Sequence, residues 1–88
     1  MEEIVRKALE SIGVEMDKVQ FQNKKEDSLT LRYGYWNWLP DNKGAELMME
    51  LGDSYTVTPD TYVDEDGDDD EGRPIYRYLH SYVIKKII

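Results

Sequence analysis

Between Asp64 and Glu71 the chain places seven carboxylates in eight residues: Asp64, Glu65, Asp66, Asp68, Asp69, Asp70 and Glu71, broken only by Gly67. Moving an unpaired carboxylate out of water costs several kcal/mol, so the run must face solvent, a cation or a basic partner. Any core has to be assembled from the remaining sequence. A chain of 88 residues is well below the roughly 250 at which hydrophobic cores divide. The expected organisation is therefore a single domain over 1–88 with an exposed acidic loop at 64–72.

The charge is segregated along the chain. Residues 1–40 carry seven acids and six bases, residues 41–71 carry twelve acids with Lys43 as their one base, and residues 72–88 carry four bases and no acid. The net charge of −8 and a pI near 4.5 argue against direct binding to a nucleic acid backbone. There is no cysteine, which removes disulfides, thiolate metal sites and a cysteine nucleophile from consideration. No apolar run approaches the roughly 18 residues of a membrane span, and MEEIVRKALE carries charge where a secretory leader would be apolar. No membrane association is expected, and the expected location is cytoplasmic.

Residues 2–12 set Ile4, Val5, Ala8, Leu9 and Ile12 at helical spacing ahead of Gly13, a pattern that predicts an amphipathic helix with a glycine stop. Val19 and Phe21 alternate with polar residues, a polar turn follows at 23–27, and Leu29, Leu31, Tyr33 and Tyr35 alternate again, as in a β-hairpin. Continued as a strand, this segment would turn Trp36 and Trp38 to the face opposite the leucines. That requires either a register switch at Gly34 or a covered far face. Residues 45–51, AELMMEL, are strong helix formers stopped by Gly52, although their alternation also fits a strand. Residues 54–63 have β composition, with Pro59 restricting them to an edge or to two short strands. From Pro74 onward, Ile75, Tyr76, Tyr78, Leu79, Tyr82 and Val83 fall in one helical arc, while Tyr76, Tyr78, Tyr82 and Ile84 would equally share one face of a strand. The fold class read from this is α+β: an antiparallel sheet of about three strands (18–22, 28–37 and 54–63) packed with an N-terminal helix, a short middle helix and a C-terminal helix.

Chemical motifs are sparse. Asp64-x-Asp66-x-Asp68 resembles the opening of a calcium-binding loop, but counting from Asp64 puts Asp69 where glycine is needed and Ile75 where a bidentate glutamate is needed. No cofactor is expected, and no metal ligands are assigned. His80 is the sole histidine and the six glycines are scattered, so neither a catalytic constellation nor a phosphate-binding loop can be assembled, and no catalytic activity is expected. Arg73, Arg77, Lys85 and Lys86, with His80, form the one basic block, whose simplest role is to offset the preceding acids.

Two features point to interaction. Seven carboxylates over eight extended residues average one charge per about 4 Å, near the 3.4 Å per charge of a DNA strand. Such a strip attracts proteins whose sites normally hold nucleic acid, with fast and salt-sensitive association. The aromatic stretch 33–38 lacks a basic groove for base stacking. It therefore reads first as core, with Trp36 and Trp38 as the rings most available to a partner. The function read from the sequence is a small acidic, non-enzymatic interaction protein that inhibits or regulates a basic, nucleic-acid-processing protein. Small inhibitors of phages and mobile elements share this physical character, which is an analogy only. The partner-binding residues are then Asp64, Glu65, Asp66, Asp68, Asp69, Asp70, Glu71, Trp36 and Trp38. One alternative is a homo-oligomeric adaptor, such as a homodimer, using the Trp36/Trp38 face and the apolar end Ile84, Ile87 and Ile88. A further one is a cation-binding module.

Overall fold

The computed structural model describes residues 1–87, so Ile88 lies outside the described residues. Helix α1 (Glu2–Ser11) buries Val5, Ala8 and Leu9 on one stripe. It ends as its sequence predicts. Gly13 adopts φ +84°, the Gly13 N–H reaches the Glu10 carbonyl at 3.1 Å and the Val14 N–H reaches the Leu9 carbonyl at 3.0 Å. This is the paired bonding of a Schellman stop, with buried Val14 as its apolar contact. Strands β1 (Val19–Gln22) and β2 (Ser28–Tyr33) follow, then helix α2 (Lys43–Leu51), closed by Gly52 at φ +73°. The chain finishes with two long strands, β3 (Tyr55–Asp68) and β4 (Pro74–Lys86).

The four strands form one antiparallel sheet in the order β1-β2-β4-β3. The fold is thus α+β, but with four strands, and the C-terminal segment is a strand where the sequence predicts a helix. The reason is non-local. As a helix, 74–86 would cover one apolar stripe and leave β2 and β3 with no strand between them. As β4 it pairs on both sides, with Leu31↔Tyr82 toward β2 and Val57↔Ile84 toward β3. Pro59 sits on β3, which is an edge strand, as its missing N–H requires.

Cross-strand partners share a face. Leu29, Leu31 and Tyr33 of β2, Tyr82 and Ile84 of β4 and Val57 of β3 therefore line one side. There they join Val5, Ala8, Leu9, Leu47 and Leu51 of the helices in a single core cluster. Burying each of the leucine, isoleucine and valine side chains among them is worth about 1.5–3 kcal/mol. This core occupies only part of the molecule, whose principal extents are 50 × 24 × 19 Å. The long axis is set by the far half of the β3–β4 hairpin, which runs past the ends of β1 and β2 as a two-stranded ribbon.

Candidate functional site

The acidic run lies on this ribbon. It is exposed throughout, as its charge demands, but it is not simply a loop: 64–68 complete β3, and only the residues after Asp68 turn back toward β4. Exposure constrains side chains and not backbone, and here β4 satisfies the backbone. Val63↔Tyr78, Asp64↔Arg77 and Glu65↔Tyr76 are directly opposite, after which the register shifts before Asp68↔Pro74. Gly67, at φ +82°, supplies the left-handed backbone within that irregularity.

Alternation then splits the carboxylates. Asp64 and Asp66 point to one face with Asp60, while Glu65 points to the other with Val63, so same-face neighbours stand about 7 Å apart. That is roughly twice the spacing obtained for an extended chain with every acid on one line. Several acids are also engaged within the chain. Asp66 pairs with Arg77 and Glu71 with Arg73. Asp69 Oδ1 accepts the Glu71 N–H at 2.9 Å and the Arg73 N–H at 2.8 Å, which caps the turn. Hydrogen bonding to the Asp66 carboxylate holds the Arg77 guanidinium above its ordinary pKa. Asp64, Glu65, Asp68 and Asp70 form no ion pair among the described residues.

Trp36 and Trp38 belong to a strap that braces the root of the ribbon. Strand β2 does not extend to residue 37: it ends at Tyr33, because Gly34 (φ +59°) and Trp36 (φ +60°) turn the backbone sharply. The Asn37 N–H then closes on the Tyr33 carbonyl at 2.9 Å. The sequence left open a register switch at Gly34 or a covered far face; what the chain adopts is a turn at Gly34 that ends the strand. The strap takes over where β2 leaves off, since the His80 N–H donates to the Trp36 carbonyl at 2.9 Å. Arg32 stacks on the Trp36 ring at 4.4 Å, and that ring meets Tyr62 edge-on at 5.6 Å. On the opposite face Trp38 stacks on His80 at 4.1 Å and meets Tyr82 at 5.6 Å. Tyr35 both accepts a hydrogen bond from Arg77 and lies under its guanidinium. The strap is anchored by the Leu39 N–H, which donates to the buried Tyr82 hydroxyl at 3.0 Å.

The acids and the two tryptophans are therefore on one projecting unit, with the rings at its root and Asp68–Glu71 at its tip. Trp36 is half-buried and Trp38 is 43% exposed, so much of each ring is occupied within the chain. The sequence reading missed the exposed apolar side of the ribbon, formed by Val63 (55% exposed), Tyr76 (57%) and Tyr78 (63%). Its signal was the Tyr76/Tyr78 alternation. Among the described residues no three acidic or histidine side chains converge as a metal site would require. No helix among the described residues is long and apolar enough to cross a membrane. Comparison with models of protein families, with curated proteins and with solved structures yields no match.

Proposed function

We propose that this chain is a non-enzymatic interaction protein that binds a basic, nucleic-acid-processing protein and inhibits or regulates it through the acidic hairpin. One observation carries the proposal. Asp64, Glu65, Asp68 and Asp70 form no salt bridge among the described residues, yet they are held on a ribbon projecting from the core. Fixed, unneutralised charge at the far end of a molecule costs self-repulsion and contributes nothing to its core, whereas it steers and orients a cationic partner. Homo-oligomerisation through Trp36 and Trp38 draws less support, because both rings already stack on residues of the same chain.

The test is capture by the full chain from its native host, compared with the variant Asp64→Asn, Glu65→Gln, Asp68→Asn, Asp70→Asn. This variant spares the turn cap and both arginine pairs, so its circular dichroism should match the wild type. Expected is a basic nucleic-acid-binding protein that is captured by the wild type, released by added salt or by competing DNA, and not retained by the variant. Equal capture by the variant would refute the proposal, as would a captured protein indifferent to DNA.

A further inference from the structure

The ribbon has a bare backbone edge whose orientation follows from the register. The His80 N–H points to Trp36 and the Lys86 N–H to Asp27, so even-numbered residues of β4 turn their backbone toward β2 and odd-numbered ones toward β3. Arg77 therefore faces β3, and its opposite number Asp64 faces back. On β3 the even residues bond inward, and Thr61, Val63 and Glu65 direct their N–H and C=O groups outward, where no strand of the described residues lies. Pro59 falls in the same outward set, where a missing N–H breaks no ladder bond. Beside this edge Asp60 and Asp64 rise on one face, and Val63 with Tyr78 behind it lies exposed on the other.

We infer that the outer edge of β3 from Asp60 to Asp66 accepts an extended basic segment of the partner as a fifth strand. Its alternate residues are lysine or arginine toward Asp60 and Asp64, and apolar toward Val63 and Tyr78. The inference rests on the acidic hairpin being the partner-binding surface and adds how that surface is read: main-chain bonds supply attachment, and side-chain alternation supplies selectivity. Charge decides the occupant. A second copy of this chain on the same edge would set one acidic row against another, which opposes pairing, whereas a cationic strand is complementary at each acidic position.

The probe is a short capped peptide alternating Arg and Val, titrated into the full chain and followed by amide hydrogen exchange. Expected is about tenfold slower exchange at Thr61, Val63 and Glu65, with Tyr62 and Asp64, already bonded inward, unchanged. The same peptide N-methylated at alternate residues keeps its charge and should bind about tenfold more weakly, as loss of one or two backbone hydrogen bonds implies. Val63→Pro, which removes an outward N–H as Pro59 already does, should weaken the unmodified peptide similarly. If Val63→Pro perturbs the fold, the methylated peptide carries the comparison alone. Salt-sensitive binding without protection at these amides, and equal for both peptides, overturns strand addition while leaving the acidic surface standing. A peptide that does not bind, or amides already protected by self-association, also overturns it. Loss of partner capture in the four-acid variant would still uphold the acidic surface in those cases.

Discussion

Tyr82→Phe is the sharpest probe of the strap that supports the ribbon. It removes one oxygen and leaves the ring in place, so packing against Trp38 and Gly44 is preserved. What changes is the Leu39 N–H. With Leu39 only 4% exposed, water cannot replace the lost acceptor, and an orphaned buried donor costs about 1–3 kcal/mol. In a domain of this size each kcal/mol corresponds to roughly 4–8 °C in Tm. A second signature comes from ionisation. Burial raises the Tyr82 pKa above its ordinary value of 10.0, only partly offset by the Leu39 hydrogen bond. The folded state therefore holds this proton more tightly than the unfolded chain. The resulting stability is complete below pH 10 and is lost as pH rises through the folded pKa. Phenylalanine cannot show that loss, so the gap between wild type and variant should narrow in alkali. Urea titrations at pH 7 and at several values above pH 10 read both effects. Hydrogen exchange should also show faster opening at Tyr62 and Leu79, the ladder pair beside the strap. A variant within about 0.5 kcal/mol of wild type at pH 7, or a gap that does not change with pH, would overturn the assignment of Tyr82 as the anchor.

Two further substitutions test the root and the tip of the ribbon. Trp36 holds φ +60°, which costs a residue with a Cβ about 1–2 kcal/mol relative to glycine. Trp36→Ala should therefore melt lower than Trp36→Gly, although both lose the ring; the reverse order in thermal denaturation would show that the turn is not strained. Asp69→Ala removes the two bonds its carboxylate accepts from the Glu71 and Arg73 amides and should cost about 1 kcal/mol, seen as faster exchange at those amides, while Asp69→Asn keeps the acceptor and stays near wild type. Equal exchange in the two Asp69 variants would show that the carboxylate does not cap the turn.

Local signals made α1 legible and favoured a helix over a strand at α2. Gly13 and Gly52 stand where the 3.6-residue pattern stops, and no distant residue is needed to read them. Pro59 likewise narrowed its segment, by its own chemistry, to an edge strand or two short strands, of which the chain adopts the first. The C-terminal strand was not legible in this way, because Ile75 to Val83 satisfies both periodicities and the choice is made by pairing with β3 and with the distant β2. For the acidic run, charge determined exposure but not conformation: the carboxylates required water, and the backbone followed Thr61 to Val63 and their partners on β4. At Gly34 the apolar conflict was visible as a register problem. Its solution, a strap placing Trp36 on one face and Trp38 on the other, depends on contacts with Arg32, Tyr62 and His80 that no local pattern contains.

Order in the ribbon changes what its charge can do. A disordered acidic loop presents an average field and loses conformational entropy when a partner fixes it. Here that ordering is already complete in the free chain, held by cross-strand pairs worth about 0.2–1 kcal/mol each and by the strap at its root. The exposed Arg73–Glu71 and Arg77–Asp66 pairs add little stability of their own, but they fix where the remaining negative charge is presented. The two faces then differ: Asp60, Asp64 and Asp66 share one with Arg77, Tyr62 and Ile75, while Val63, Tyr76 and Tyr78 share the other with Glu65. A partner that only neutralises charge gains nothing from the second face. One that alternates basic and apolar residues along an extended backbone uses both faces and the edge between them, and the N-methylated peptide separates that backbone pairing from net charge.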